Sequence, residues 1–538
     1  MQSLFRSFFT VSFYTLLSRI LGFVRDILIA RFLGSTVTAD AFFVAFRIPN
    51  FFRRVLAEGA YSAALVPVFS GIVIDSKDDH EAADFVENTM SLLLFVTVGL
   101  TIIFFFGMPY IIQILAPGFP ANSEAFDLAV YFGKIIFPYL IFISLAAHFT
   151  SILNVHERFA AGAFAPAILN ISFILSLYII TPYVSSAGHA LSIGVLIGGI
   201  GQFLFLYRST LYFYKPKLKF PELNERLRKF FRLFIPGVIG SGVIQLNIII
   251  GTIIASFLPI GAISHLYYAD RLNQLPLAIF GIALGVVLLP GLSKAIKSDN
   301  NEMTKKLQNR SLEFALLISI PSAIGLYILS LPIVHILFER GAFTKEDTLY
   351  TSNVLGYFAL GLPAYVLIKV LIVCFFARED TKTPLYISIV SVITNIVLSL
   401  VLISTMREMG IALATAISAW VNALLLFIIL TSKKSLDLDG QFLTNILKLL
   451  LSLIILVFIT RYLEIFFFAQ LYSVDTLNNI FYLVLTIIIT AAIYGIIIFI
   501  LKIITITDIK NYGQSYQKNF IRCSTFWRFA FRQLFGCN

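Results

Sequence analysis

Long apolar runs alternate with short polar connections along almost the whole chain. About fourteen of these runs are long enough to cross a bilayer core, which needs roughly 20 residues of α-helix. They lack the period-two alternation of membrane β-strands, so the pattern predicts an all-α polytopic membrane protein. The predicted spans are 7–33, 38–70, 88–116, 127–153, 160–182, 187–208, 230–258, 262–293, 311–338, 347–376, 384–404, 409–431, 442–468 and 478–504.

Ionised side chains interrupt the first two apolar runs. They are Arg19, Arg25, Asp26, Asp40, Arg47 and Arg53, followed closely by Arg54 and Glu58. An ionised group costs about 2.5 to 3.5 kcal/mol at the centre of a membrane helix. Several such groups cannot face lipid, so they must line a cavity that holds water or a ligand.

Composition agrees with the membrane assignment and excludes several kinds of chemistry. Of the 538 residues, 59% are hydrophobic and 13% are charged, and the mean hydropathy is +0.90. The 3 cysteines and 6 histidines have no metal-ligand spacing, and no ATP-binding or nucleophile motif is present. We therefore expect no metal and no cofactor, and no ATP hydrolysis by this chain alone.

Basic residues in the connections predict the orientation. The connections 208–232 and 294–310 are rich in Lys and Arg, whereas 34–37, 117–126, 183–186 and 259–261 contain neither. The positive-inside rule then places both termini in the cytoplasm. The net charge of +11 is mostly this topology signal, with a basic tail that attracts anionic membrane lipids. A nucleic-acid partner is not expected.

The two halves of the chain are related by an internal repeat with an offset of 223 to 225 residues. Its six spans are an even number, so both copies enter the membrane in the same sense and form two lobes about a pseudo-two-fold axis along the membrane normal. The anchor pairs are Arg47 and Arg271, Pro67 and Pro290, Pro109 and Pro332, Gly118 and Gly341, Pro138 and Pro363, and Asn170 and Asn395. The predicted domains are 1–225, 226–440, a C-terminal helix pair over 441–504, and a cytoplasmic tail over 505–538.

The intramembrane charges have two interpretations. Asp40, Arg47, Arg54 and Glu58 fall on a single helical stripe, and Asp26 lies beside Arg25, so these groups can form structural ion pairs. The alternative is an anion site, because the guanidinium fork of Arg19, Arg25 and Arg271 suits phosphate. We expect Asp270 to orient Arg271 and Asp26 to orient Arg25. We assign Arg47, Arg54 and Asp26 to supporting ion pairs.

Several motifs carry a family resemblance that covers roughly residues 1–440. The run SRILGFVRDILIARFLG followed by ADAFFVAFRIPNFFRRVLAEGAYSAALVPVFS resembles the N-terminal signature of the lipid II flippase (MurJ/MviN) family, within the multidrug/oligosaccharidyl-lipid/polysaccharide exporter superfamily. The later runs LYYADRLNQLPLAIFGIALGVVLLPGLSKAI, LFERGAFTKEDT and AREDTKTPLY are similar to motifs of the second lobe.

The resemblance implies fourteen helices and translocation of an undecaprenyl-diphosphate-linked peptidoglycan precursor across the bacterial inner membrane by a transporter, not an enzyme. It implies that the last two helices form a groove for the lipid tail, with lipid II, membrane lipids and cell-wall synthesis proteins as partners. Family residues needed for activity match at seven positions, and we expect them to bind substrate: Arg19, Arg25, Asp40, Arg53, Glu58, Asp270 and Arg271.

These inferences combine into a hypothesis in which Arg19, Arg25 and Arg271 clamp the diphosphate during alternating access. Three alternatives stay open: an O-antigen-type lipid flippase, a drug/cation antiporter, and a membrane enzyme acting on polyprenyl diphosphates. The sequence does not decide the energy source among the membrane potential, sodium and protons. Asn395 is only a weak candidate for an ion contact, and an interhelical hydrogen bond is the preferred interpretation.

Overall fold

The computed structural model describes residues 2–54, 60–75, 79–222, 224–469 and 476–503, and every regular element in these ranges is helical. The predicted all-α class is therefore confirmed. A short 3₁₀ helix, Thr181–Tyr183, follows α7. The α-helices are α1 (Gln2–Leu33), α2 (Val37–Phe52), α3 (Tyr61–Asp75), α4 (Asp79–Leu115), α5 (Glu124–Ile136), α6 (Tyr139–Val155), α7 (Phe159–Ile179), α8 (Ala187–Thr210), α9 (Glu225–Ala255), α10 (Ala262–Lys297), α11 (Asn301–Ile328), α12 (Ser330–Phe338), α13 (Lys345–Phe376), α14 (Lys382–Ser432), α15 (Gly440–Phe468) and α16 (Thr476–Ile500).

Several predicted spans differ from the observed helices at breaks in the backbone. The span 127–153 is divided into α5 and α6 at Pro138, and 311–338 is divided into α11 and α12. The spans 384–404 and 409–431 lie in α14, which is interrupted at Arg407 (φ 52°, ψ −133°). In the described residues, nine helices are long and apolar enough to cross a membrane. The count of fourteen stays a prediction.

The two halves repeat the same helix contacts. In the first half α1 packs against α7 and α2 against α5, and in the second half α9 packs against α14 and α10 against α13. The paired asparagines occupy matching places. Asn170 on α7 donates to the Ser18 carbonyl of α1 (2.9 Å), and Asn395 on α14 donates to Asn247 of α9 (2.8 Å).

Helix α9 begins the second repeat but packs on both halves. Near its N-terminus Phe230 and Phe234 contact the ring of Tyr61 on α3, with centroid separations of 5.4 and 6.2 Å. Its later part contacts α14 through Asn247. The predicted boundary at 225/226 thus coincides with the start of a helix shared between the halves, and the domain division itself stays a prediction.

The two ends of the helical bundle differ in charge. We call the end that carries the connections 208–232 and 294–310 the basic end, and the end that carries 34–36, 116–123, 256–261 and 339–344 the gate end. At the gate end the Ala342 N–H donates to the Arg31 carbonyl (2.8 Å), and the Gly118 N–H donates to Ser256 Oγ (3.0 Å). These two contacts join the halves through repeat-equivalent positions.

The C-terminal helices α15 and α16 attach to the second half. Arg310 on α11 donates to Asp439, the N-cap of α15 (2.9 Å), and to Glu313 on its own helix (2.5 Å). Helix α16 packs on α15 and α12. Near the basic end, an apolar groove lies between α15 and the second half, and it is lined by Leu312, Leu316, Leu367, Leu371, Trp420, Ala423, Leu424, Phe427, Phe442 and Ile446.

Candidate anion-binding site

Arg25 on α1 is held by two other side chains of the first half. Its Nε and Nη2 donate to Asp26 Oδ1 (3.0 and 2.7 Å), and its Nη1 donates to Asn170 Oδ1 on α7 (2.8 Å). The guanidinium also lies over the Phe173 ring at 5.3 Å. All three kinds of guanidinium nitrogen are therefore in use, so the fork has a fixed orientation.

Tyr267 on α10 connects this arginine to the second half. Its hydroxyl donates to Asp26 Oδ1 (3.2 Å), and its ring stacks on Phe43 of α2 with centroids 3.9 Å apart. The Arg271 guanidinium lies 4.8 Å from the same ring. Helices from both halves thus meet at one cluster of charged and aromatic groups.

Arg271 and Arg47 carry positive charge that the acids around them in the described chain do not fully neutralise. The only acid within ion-pair distance of Arg271 in the described chain is Asp270, at 3.7 Å. The buried Nε atoms of Arg271 and Arg47 have no hydrogen-bond partner among the described residues. The two arginines also repel each other electrostatically. A bound anion would accept hydrogen bonds from these two donors and would offset the excess positive charge.

The structure gives Arg47 a different setting from the predicted supporting ion pair. It lies near Arg271 and Arg54, and the carboxylate that attracts it is Asp270 of the other half. No ion pair of Arg47 within 4.0 Å occurs among the described residues. The predicted partner Glu58 lies outside the described residues. Arg47 therefore joins Arg271 as a candidate ligand of an anion.

The other predicted site residues are distributed around this cluster. Arg19 is exposed on α1, and its Cα lies about 9 Å toward the basic end from that of Arg25, at 1.5 Å per residue. Arg53 donates to Asn50 from Nε (3.1 Å) and Nη2 (2.9 Å). Arg54 is half-buried just beyond α2, and Asp270 accepts a hydrogen bond from Gln274. The expectation that Asp26 orients Arg25 agrees with the contacts.

Asp40 lies away from this cluster, at the gate end. Its Oδ2 accepts from the Gly261 N–H (2.7 Å), and its Oδ1 accepts from the Ser264 N–H (2.9 Å) and hydroxyl (2.5 Å). Asp40 is only 3% exposed, so it is inaccessible to substrate in this conformation. We expected a substrate-binding residue, whereas the structure shows a carboxylate of the first half that caps α10 of the second.

Asn170 and Tyr267 were missed as site residues. Asn170 was visible in the sequence only as a repeat anchor, and its contact with Arg25 spans 145 residues. Tyr267 is separated by a single residue, Tyr268, from the Ala-Asp-Arg run that ends at Arg271. Asn395 was the weak ion candidate. Its bonds to Asn247 (2.8 Å) and Ser399 (3.2 Å) agree with the preferred interpretation of an interhelical hydrogen bond.

Two helical halves that repeat the same contacts and meet at a cationic cluster inside a membrane bundle define the class of protein as a membrane transporter. The family model described as lipid II flippase MurJ matches residues 29–483. The chain belongs to this family of transporters and is an integral protein of the bacterial inner membrane, as expected from the sequence.

Similar proteins cover nearly the full chain. A probable lipid II flippase MurJ of Rickettsia prowazekii is 38% identical over 508 residues, which are 94% of this chain and 99% of the relative. The lipid II flippase MurJ of Burkholderia cenocepacia is 36% identical over 438 residues, which are 79% and 84% of the two chains.

Solved structures share the fold. A lipid II flippase MurJ in an inward closed conformation superposes with a TM-score of 0.76 at 30% identity, and covers 95% of this chain and 99% of that one. An inward-facing multidrug transporter of the MATE family is similar in fold alone, with a TM-score of 0.65 at 12% identity over 77% of this chain and 94% of that one.

Proposed function

We propose that this chain moves lipid II from the inner to the outer leaflet of the inner membrane by alternating access. The observation that carries the proposal is the arginine cluster at which the two halves meet, where Arg47 and Arg271 leave buried donors unpartnered among the described residues beside Arg25. A diphosphate supplies several acceptor oxygens and the negative charge that this cluster lacks. The undecaprenyl-diphosphate linkage of lipid II has that chemistry.

The gate end faces the outside and the basic end faces the cytoplasm in this proposal. The distribution of Lys and Arg between the connections supports this orientation, with both termini in the cytoplasm. With the gate end closed by Asp40 and by the Arg31 and Ser256 contacts, the headgroup reaches the arginines from the cytoplasmic side. Release to the outside requires the gate contacts to break.

Diphosphate binding favours one conformation only if its contacts differ between conformations. Arg25 belongs to the first half and Arg271 to the second, so a ligand held by both draws the halves together. Arg47 of the first half adds a second donor beside Arg271. Arg19, nearer the basic end, is placed to meet the anion before it reaches Arg25.

The lipid tail stays in the membrane while the headgroup crosses. The apolar groove beside α15 lies near the basic end, where the precursor enters from the cytoplasmic leaflet. Its lining in the described chain is aliphatic and aromatic, which suits a polyprenyl chain. Reorientation is driven by the membrane potential or by a sodium or proton gradient, and membrane lipids and cell-wall synthesis proteins are expected partners.

The test is flipping of fluorescent lipid II by purified protein in liposomes. We expect the flipping rate to fall at least about tenfold in each of three variants, Arg25→Ala, Arg47→Ala and Arg271→Ala. A tenfold fall corresponds to a loss of about 1.4 kcal/mol in transition-state stabilisation. Arg461→Ala is the matched control, because Arg461 is exposed on α15 and pairs only with Glu464 of the same helix among the described residues.

Product mass separates a flippase from an enzyme. Lipid II that changes leaflet with its mass unchanged supports the proposal. A changed mass supports a polyprenyl-diphosphate enzyme. Wild-type flipping rates in all three arginine variants would reject the cationic site.

A further inference from the structure

His265 is enclosed by two carboxylates at the gate end. Its Nδ1 lies 3.3 Å from Glu408 Oε1 on α14, and its Nε2 lies 3.3 Å from Asp347 Oδ1 on α13. The imidazole stacks on Tyr350, with centroids 5.3 Å apart and planes 17° apart. The His265 and Glu408 side chains are 6% and 2% exposed, whereas that of Asp347 is 16% exposed.

This geometry needs a bound proton. A neutral imidazole has one N–H donor, so it can donate to only one of two ionised carboxylates. The other carboxylate would then face a ring nitrogen lone pair in a buried place, which is unfavourable. Protonating either the imidazole or one carboxyl group satisfies both contacts. In the described residues, no group of three His, Cys, Asp or Glu side chains is arranged to hold a metal ion.

The site is next to the contact that closes the gate. Ser264, the neighbour of His265, donates to Asp40 of the first half, and Asp40 is itself near enough to interact with the imidazole. The other charged or titratable groups near this site in the described chain include Tyr350 on α13, Tyr268 on α10, which interacts with Asp347 and Asp40, and Arg407, whose Nε lies 3.9 Å from Glu408 Oε2. Arg407 also lies over the Tyr350 ring at 5.6 Å.

We propose that His265, Asp347 and Glu408 form a proton-binding site whose occupation holds the gate end closed. The inference rests on the proposed alternating access, and it names the proton as the ion that biases the gate. A proton from the outside reaches the site through the partly exposed Asp347. Its binding fixes the first turn of α10 against α13 and α14, where Gly261 and Ser264 meet Asp40.

The sign of the pH dependence follows from linkage. The closed conformation holds a proton that the open conformation releases, because opening separates α10 from the carboxylates. Stabilisation of the closed gate is therefore present at low pH and lost as pH rises. For one proton, the ratio of closed to open molecules falls by up to about tenfold per pH unit.

Electron–electron distance measurements between two spin labels test this in the purified full chain. The spin labels are attached at two exposed positions near the gate end, one in each half, through the substitutions Tyr183→Cys and Thr405→Cys. Cys523 and Cys537 are replaced by serine so that they are not labelled, and Cys374 is buried. We expect the closed fraction to fall between about pH 5 and 8, where imidazole changes charge. His265→Gln and, independently, Asp347→Asn should flatten the dependence.

His335→Gln is the matched control, since His335 forms its carboxylate contact with Glu339 on the same segment (2.8 Å). This variant should keep the wild-type pH dependence. The series is repeated in a Gly34→Ala background, which disfavours the closed gate. If the open state is rare in the protein without this substitution, the ratio of closed to open molecules stays measurable in the Gly34→Ala background. A closed fraction independent of pH in both backgrounds, or a dependence that survives in His265→Gln, would overturn the proton site.

Flipping of lipid II by the same preparations separates this inference from the proposed function. Flipping together with a pH-independent gate rejects the proton site alone. A pH-dependent gate in protein that flips no lipid II rejects the proposed substrate and keeps the site.

Discussion

Arg25 and Arg47 show how one residue type serves two purposes within the same cluster. Arg25 has partners for Nε and for both terminal nitrogens, so its position is fixed before any ligand arrives. Arg47 keeps a buried Nε without a partner in the described chain and lies near the like charge of Arg271. The arrangement of Arg47 is unfavourable in the ligand-free protein and is relieved when an anion binds. A ligand-binding residue is expected to behave in this way.

Replacing Arg47 should therefore stabilise the ligand-free protein. We expect Arg47→Gln to raise the free energy of unfolding by about 1 kcal/mol, because it removes a like-charge contact and an unsatisfied donor. The same variant should flip lipid II more slowly. Thermal unfolding in detergent, followed by tryptophan fluorescence, measures the first effect.

Arg25→Gln is the comparison, because it leaves Asp26 without its ionic partner and should lower the unfolding temperature. If both substitutions lowered it equally, Arg47 would be a structural residue and its unpartnered donor would have no bearing on anion binding.

At the scale of elements, the backbones of two helix ends approach each other closely at the gate end. Gly34 (φ +58°) follows α1, and a Cβ there would lie 2.2 Å from the Ala342 carbonyl oxygen. Gly341 (φ +63°) precedes α13, and a Cβ there would lie 2.3 Å from the Arg31 carbonyl oxygen. Both positions need glycine for its left-handed conformation and for the close approach.

Gly34→Ala should open the gate. The left-handed conformation costs an alanine about 1 to 2 kcal/mol, and the overlap with Ala342 adds to it only when the halves touch. We expect the closed fraction to fall at least about tenfold, measured by the same spin-label distances at fixed pH. Gly325→Ala is the control, because a Cβ at Gly325 meets nothing within 4 Å. Equal closed fractions in the two variants would contradict this role for Gly34.

The sequence predicted the helices better than the contacts between them. Apolar runs and proline breaks are local, so elements such as α4 and α13 are visible in the hydropathy pattern. The partners of Asp40 are two backbone N–H groups and a serine hydroxyl more than 220 residues away, and no residue type marks a backbone donor. Arg25, Asp26 and Arg271 were predictable because ionised groups inside a membrane are costly wherever they occur.

At the scale of the whole molecule, the C-terminal pair is attached to the second half. The Arg310 contact with Asp439 joins the start of α15 to α11, and Asn445 on α15 donates to Glu313 of α11 (3.2 Å). A lipid tail in the groove beside α15 would therefore follow the second half as it reorients, while the headgroup contacts both halves.

Filling the groove should weaken transport of long-tailed substrates only. Leu424→Trp adds a large side chain at a groove position that is 52% exposed. We expect slower flipping of undecaprenyl lipid II, by about threefold to tenfold, and little change for an analogue with a short prenyl chain. Leu447→Trp is the matched control, at a position 68% exposed on α15 that does not line the groove. An equal loss for both chain lengths would argue against a tail site.

Two of the hydrogen bonds at the gate end join the same pair of repeat-related positions, once in each direction. Arg31 with Ala342 and Ser256 with Gly118 are related by the repeat offset, as in the isologous interface of a two-fold dimer. In such a dimer every substitution appears on both sides at once. Within a single chain, each side of the interface can change alone. At the gate end, Asp40 of the first half is a hydrogen-bond acceptor, whereas the matching position of the second half holds Ser264, with His265 beside it. Covalent fusion thus allowed one interface to acquire two different chemistries.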